Sequence, residues 1–143
     1  MDESSVAGHE KKMAIMKSKA MRIELTTSHL CDEPGTKLAM FCDPSDCDDL
    51  ASIFERRVGK VLDIYAVDDK GNPYAVSIQF VDRVGDEAFL IEDKVVVLRF
   101  AKKSARNASE RMRKIANSLG KAWNYIDLEH DEKEEFSFLV LRG

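Results

Sequence analysis

One stretch of the sequence, residues 98–119, constrains the fold more than any other. Apolar residues recur there every three or four positions, which predicts a helix with one apolar face. These apolar positions are Ala101, Ala105, Ala108, Met112, Ile115, Ala116 and Leu119. Gly120 follows at the place where a left-handed C-cap belongs. The small alanines allow such a helix to lie close to the layer that it covers.

The opposite face of this predicted helix is cationic. The segment from Lys102 to Lys121 carries seven basic residues and one acid, although the whole chain has a net charge of −4. Basic side chains in the first turn oppose the helix macrodipole, so stability alone does not favour them there. They suit the binding of an anion, because the positive end of the helix adds to their field. A solvated helix face is the alternative interpretation of the same pattern.

The composition predicts one globular domain. A chain of 143 residues with 44% hydrophobic and 34% charged residues is long enough to bury a core and is typical of a soluble protein. The sequence contains no apolar run of membrane-spanning length, and its three cysteines cannot all pair in disulfides. We therefore expect an intracellular protein, cytoplasmic or nuclear. Residues 1–20 are expected to form a flexible basic tail, and residues 21–143 a single domain.

Local patterns predict the order of the elements. Alternating and short apolar runs predict strands, and residues 43–46 predict a capped helix start with proline at its first position. The predicted order is two strands, a helix, three or four strands, the basic helix and a final hairpin. The fold class is α+β, a mainly antiparallel sheet with two helices on one face. Glycine-lysine pairs at 59–60 and 120–121 each follow a helix and precede a hairpin, which suggests an internal duplication.

Three short motifs lie in residues 43–119. Lys102-Lys103-Ser104-Ala105-Arg106 begins the basic helix, Gly71-Asn72-Pro73-Tyr74 lies between two strands, and Leu50 to Glu55 belongs to the first helix. In the order α-β-β-β-α, these motifs resemble the second helix, the first strand loop and the first helix of the double-stranded-RNA-binding domain. Tyr74 stands where that family has a histidine, and extra strands precede and follow the resembling segment.

The resemblance implies a non-enzymatic module that binds double-stranded RNA by its shape, without a cofactor. The basic helix would contact phosphates, while the strand loop and the first helix would approach successive minor grooves. The implied contact residues are Lys102, Lys103 and Arg106 for phosphates, Asn72, Pro73 and Tyr74 for one minor groove, and Ser52 and Glu55 for the other, with Arg113 as a further cation of the basic helix.

A protein-interaction or self-association module is the alternative function. It would use the same basic helix or the final hairpin, in which Trp123 and Tyr125 alternate with Asn124 and Ile126. Burial in the core is the favoured interpretation of these two aromatic residues. The row Phe136, Phe138 and Val140 lies on a terminal strand, which could pair at its edge with a second copy.

Metal binding and catalysis have little support in the sequence. The residue types of a zinc site occur in His29, Cys31, Cys42 and Cys47, but no C-x-x-C pair is present. No arrangement of a nucleophile with a base stands out, and no glycine-rich phosphate loop precedes the lysines. The sequence therefore predicts neither a metal site nor an enzyme.

Overall fold

The computed structural model describes residues 22–28, 35–57, 64–129 and 134–142. The predicted flexible tail over residues 1–20 lies outside these ranges. Eight strands and two helices lie within them. They are β1 Arg22–Thr26, β2 Lys37–Cys42, α1 Pro44–Arg56, β3 Tyr65–Asp68, β4 Pro73–Phe80, β5 Ala88–Glu92, β6 Val95–Phe100, α2 Lys102–Ala116, β7 Ala122–Ile126 and β8 Ser137–Arg142.

The eight strands form one sheet in the order β5-β6-β4-β3-β1-β2-β8-β7. Four of the seven neighbouring pairs are antiparallel, and three, β1–β3, β2–β8 and β4–β6, are parallel. A bridge between Phe89 and Glu134 joins β5 at one edge to the segment that precedes β8, so the sheet curls round. Side chains of both helices and of the strands form the main apolar core, and a smaller cluster of Ala39, Leu139 and Leu141 lies on the other face of the sheet. The predicted α+β class is confirmed.

The first helix begins as its sequence predicts. The Asp43 carboxylate accepts the N–H of Asp46 at 2.8 Å, and Pro44 occupies the first helical position. The helix ends at Arg56, because Arg57 adopts a left-handed conformation with φ of 52°. The backbone N–H of Arg57 still donates to the Ile53 carbonyl at 2.8 Å.

The basic helix is shorter than its sequence pattern. It ends at Ala116, and the N–H of the next residue, Asn117, donates to the Arg113 carbonyl at 3.0 Å. Leu119 is 97% exposed, so its predicted place in the buried stripe is wrong. Gly120 has a positive φ of 78° but lies in the turn towards β7, so its predicted role as C-cap is also wrong. Neither described helix is long and apolar enough to cross a membrane.

The apolar run from residue 88 to residue 100 forms a hairpin, not a bent strand. Asp93 and Lys94 make its two-residue turn with φ values of 48° and 66°. Two central residues of positive φ match the twist of the flanking strands. Four strands therefore separate the two helices, and the predicted α-β-β-β-α order of residues 43–119 is corrected to α-β-β-β-β-α.

The fold consists of one unit used twice. Each unit is a hairpin, a helix and a hairpin: β1-β2-α1-β3-β4, then β5-β6-α2-β7-β8. The two hairpins of the second unit flank the first unit in the sheet, because β8 pairs in parallel with β2 and β4 pairs in parallel with β6, over six residue pairs in each case. Buried helix positions recur 58 residues apart: Asp46, Cys47, Leu50, Ala51 and Phe54 in α1, and Ser104, Ala105, Ala108, Ser109 and Met112 in α2.

The loop between β3 and β4 is organised by two carboxylates. Asp68 accepts the backbone N–H of Asn72 at 2.8 Å, which holds the pKa of the Asp68 carboxyl below its usual range. Asp69 accepts the Thr26 hydroxyl at 2.6 Å and the Thr27 backbone N–H at 3.1 Å, and these bonds lower the pKa of Asp69. The Asp69 carboxylate thereby ties this loop to the end of β1.

We expect Asp69→Asn to reduce the acid sensitivity of the fold. The folded pKa of Asp69 lies below its unfolded value, so its stabilising effect is complete above the unfolded pKa and is lost as the pH falls through the folded pKa. Urea unfolding between about pH 6 and pH 2.5 should show a smaller fall in the free energy of unfolding for the variant than for the wild type. Asp82→Asn is the charge-matched control, and an equal fall for the wild type and Asp69→Asn would contradict the expectation.

Candidate nucleic-acid interface

The two helices pack against each other, and both contain small side chains that are buried. Ala51 of α1 and Ala105 of α2 are fully buried, and Ser109 is 4% exposed. Where the C-terminal end of α1 meets the N-terminal half of α2, the helices leave a cleft of about 360 Å³. We call it the interhelical cleft, and its lining residues are Phe54, Glu55, Arg57, Lys102, Arg106, Ser109, Glu110 and Arg113.

Arg113 joins the two helices. Its guanidinium donates to Glu55 at 2.8 Å and to the Ser52 hydroxyl at 3.3 Å, and it lies 3.5 Å from an Asp48 carboxylate oxygen. Glu55 and Arg113 occupy equivalent positions of the two units, 58 residues apart. The structure therefore brings together three residues that the sequence predicted, Ser52, Glu55 and Arg113, but they contact one another. Arg113 has its charge compensated within the protein.

Three other cations of the cleft have no such partner. Among the described residues, no side chain makes an ion pair or a hydrogen bond with the side chains of Lys102, Arg106 or Arg57. Lys102 and Arg106 lie one turn apart on α2, and Arg57 reaches the cleft from the end of α1. Cations on two different elements thus converge on one concavity.

Sequence reasoning missed Arg57. The signal was the arginine pair at residues 56–57, which spans the last residue of α1 and the residue after it. That signal has a meaning only once α1 is known to end beside the start of α2. The left-handed conformation of Arg57 turns the chain away from the helix at this point.

Lys103 lies on a different surface from Lys102 and Arg106, the other two predicted phosphate contacts. Successive residues on a helix point about 100° apart. Lys102 therefore faces the cleft, whereas the Lys103 ammonium lies 3.5 Å from the Glu129 carboxylate. The predicted trio of Lys102, Lys103 and Arg106 is divided between two surfaces.

The start of α2 is held by a buried carboxylate. Glu87 is fully buried, and its two oxygens accept the Ala101 N–H at 2.7 Å and the Glu129 N–H at 3.1 Å. The Ser104 hydroxyl accepts the same Glu129 N–H at 3.1 Å. The position of Lys102 relative to α1 therefore depends on Glu87. Ala101 supplies no side-chain cap, and the Glu87 carboxylate is the acidic group that contacts this end of α2.

The predicted loop contacts lie elsewhere. Asn72, Pro73 and Tyr74 precede the point where Ala75 pairs with Val95, whereas α2 begins after the last pair of the same strands. Six residue pairs separate the two ends, which corresponds to roughly 20 Å along the strands. Lys94 lies over the Tyr74 ring at 5.0 Å from its centre. The structure does not bring this loop together with the interhelical cleft.

The two described members of the candidate zinc set form a thiol pair. Cys42 and Cys47 are both buried and hydrogen-bonded to each other, which raises the pKa of Cys42 and lowers that of Cys47. The other two members, His29 and Cys31, lie outside the described residues. Within residues 22–28, 35–57, 64–129 and 134–142, no group of three or more His, Cys, Asp or Glu side chains is arranged to hold a metal ion.

The aromatic residues of β7 face outward. Trp123 is 45% exposed and makes an edge-to-face contact with the half-buried Tyr125, so the expectation that these rings lie in the core is wrong. Ile126, on the other face of the strand, is buried in the core instead. β8 lies between β2 and β7, so the expected exposed edge at Phe136, Phe138 and Val140 is wrong, and these three residues are buried in the core.

Comparisons of the chain with protein-family models, with curated proteins and with solved structures find no match. The interhelical cleft is thus interpreted from its own geometry and charge.

Proposed function

We propose that the protein binds RNA through the phosphate backbone at the interhelical cleft, without catalysing a reaction. Lys102 and Arg106 of α2 and Arg57 at the end of α1 are the proposed phosphate contacts. The observation that carries the proposal is their convergence on one cleft without a partner among the described side chains. Neutralisation of phosphates releases condensed counterions, which drives binding of this kind.

The placement of these cations favours a role in binding a ligand over a role in stabilising the fold. Lys102 lies in the first turn of α2, where its charge opposes the macrodipole. The acids of α1, Asp48 and Glu55, compensate Arg113 instead. An anion bound at the cleft would interact favourably with both the side chains and the helix end.

RNA is the proposed polyanion because the start of α2 resembles the second helix of the double-stranded-RNA-binding domain. The resembling residues are Lys102-Lys103-Ser104-Ala105-Arg106. Asn72, Pro73 and Tyr74 are left out of the proposed contact surface, because they lie at the other end of β4. We therefore propose backbone contacts at the cleft and not the three-region contact of that family.

Titration of fluorescent RNA with the Lys102→Ala/Arg106→Ala variant tests the proposal. We expect the variant to bind about tenfold or more weakly, at an ionic strength near 0.1 M, because two phosphate contacts are lost. The slope of log K against log salt should fall by about 1.4–1.8, since each contact contributes roughly 0.7–0.9. Anisotropy with duplex RNA, single-stranded RNA and duplex DNA at several salt concentrations provides the measurement.

The matched control is Lys114→Ala/Lys121→Ala, which removes the same charge from exposed positions outside the cleft. Thermal unfolding verifies that both variants are folded. Equal losses of RNA affinity in the two variants would show that overall charge, and not the cleft, determines binding, and would contradict the proposal. Absence of RNA binding by the wild type at low salt would refute the proposal.

A protein contact on the outer face of the sheet is the second candidate function. Trp123 and Tyr65 are 45% and 59% exposed on that face and could contribute to an apolar interface. Phe41 lies in the same face beneath the Arg22 guanidinium, 4.1 Å from the ring centre. An interface with an apolar centre would persist at high salt, whereas phosphate binding weakens steeply.

A further inference from the structure

We infer that the interhelical cleft takes the terminal phosphomonoester of an RNA strand. This inference rests on the proposed function and specifies which part of the RNA enters the cleft. It is carried by the shape of the cleft, by the balance of its charges and by one buried hydroxyl.

The shape of the cleft favours a chain end. Its walls are two packed helices, whose axes lie about 8–10 Å apart in such pairs. Phe54 and Ser109, which line the cleft, are almost wholly buried, whereas Lys102 and Arg106 are exposed at the rim. A phosphate within a duplex backbone reaches the rim but is held away from the floor by the rest of the duplex. A terminal phosphate has no chain on one side and can enter.

The cleft carries an excess of positive charge, which favours a phosphate of higher negative charge. Arg57, Lys102 and Arg106 contribute three positive charges without a described counter-ion. Glu110 contributes one negative charge, and Glu55 is paired with Arg113 at 2.8 Å. Among the residues that line the cleft the excess is two positive charges, and the Asp48 carboxylate, which lies outside this lining at 3.5 Å from Arg113, leaves an excess of at least one. A phosphomonoester carries a charge of about −1.5 to −2 at neutral pH, whereas an internal phosphodiester carries a single charge.

The Ser109 hydroxyl supplies an independent pointer to a ligand. Ser109 is 4% exposed and lines the cleft, yet its hydroxyl makes no hydrogen bond with another described residue. The hydroxyl is not among the buried polar atoms that lack a partner, so it opens into the cleft, where a polar ligand atom can bind it in place of water. The guanidinium groups of Arg57 and Arg106 are able to grip two oxygens of one phosphate in a bidentate manner. A terminal phosphate offers three such oxygens.

Three RNA strands of one sequence test the inference: one with a 5′-phosphate, one with a 3′-phosphate and one with hydroxyl groups at both ends. We expect one phosphorylated strand to bind at least about tenfold more tightly than the hydroxyl strand, because the dianion gains charge-assisted hydrogen bonds. Arg57→Gln should abolish this preference, and Ser109→Ala should reduce it. Lys114→Ala, outside the cleft, should retain it.

The outcomes separate the inference from the proposed function. Equal binding of the three strands would refute the inference alone and leave RNA binding standing. Binding of none of them would refute both. A nucleoside monophosphate that displaces the phosphorylated strand with equal affinity would identify a free nucleotide as the ligand. It would refute the inference that the cleft binds the end of an RNA strand.

Discussion

Glu87→Ala is expected to lower the free energy of unfolding by about 3–5 kcal/mol, because two hydrogen bonds to a buried charged group are lost. The Glu87 carboxylate is fully buried and accepts the backbone N–H groups of Ala101 and Glu129. In the variant, the Ala101 N–H has no acceptor in its place. The Glu129 N–H retains the Ser104 hydroxyl at 3.1 Å. Urea unfolding followed by circular dichroism measures the loss.

Two further variants identify the cause of this loss. Glu87→Gln retains one acceptor oxygen of nearly the same size, so we expect roughly half of the effect. Glu92→Ala removes an exposed carboxylate from the end of β5, the strand that follows Glu87, and should change stability by less than about 0.5 kcal/mol. A loss below about 1 kcal/mol for Glu87→Ala would show that water replaces the carboxylate and that the start of α2 is held by other contacts.

The sequence predicts features that depend on neighbours along the chain. Asp43 caps α1 through Asp46, three residues away, so its role follows from local geometry. Val76 and Ile78 of β4 alternate with polar residues and are buried as predicted. These patterns follow from the periods of helix and strand, which act between residues close in sequence and can therefore be recognised without the fold.

The candidate site could not be predicted in the same way. Lys102 and Lys103 are adjacent in sequence, but only the packing of α1 decides which of them lines the cleft. Arg57 reaches the cleft because two helices that are 45 residues apart at their facing ends pack together. Alternation in β7 showed that one face is aromatic. It did not show that the core lies on the side of Ile126 and not on that of Trp123.

The pairing of strands between the two units could not be predicted from the sequence either. Between the end of β2 at Cys42 and the start of β8 at Ser137 lie 94 residues, and nothing in either strand specifies the other as its partner. The favoured expectation for a terminal strand is an edge position. Here β8 is interior because the second unit places it against the first.

Phe89→Ala is expected to cost about 3–5 kcal/mol of unfolding free energy, because it opens a cavity in an aromatic cluster. Phe89 is fully buried, and its ring centre lies 5.5 Å from those of Phe100 and Phe136 and 5.9 Å from that of Phe138. Leu90→Ala, on the opposite face of β5, is the control and should cost less than about 1.5 kcal/mol. Chemical unfolding of the two variants provides the comparison.

The cooperativity of the transition in Phe89→Ala tests how the two units depend on each other. Ile23 of β1 holds the position equivalent to Phe89, and Ile23→Ala should cost about 2–4 kcal/mol, because no ring pairs are lost with it. Independent units would give the Phe89→Ala variant two separate transitions. We expect one transition in both variants, because β4 pairs with β6 and β8 pairs with β2, so the strands of the second unit flank those of the first unit on both sides in one sheet. Coincident curves from Trp123 fluorescence and from circular dichroism would establish this, and a second transition would refute it.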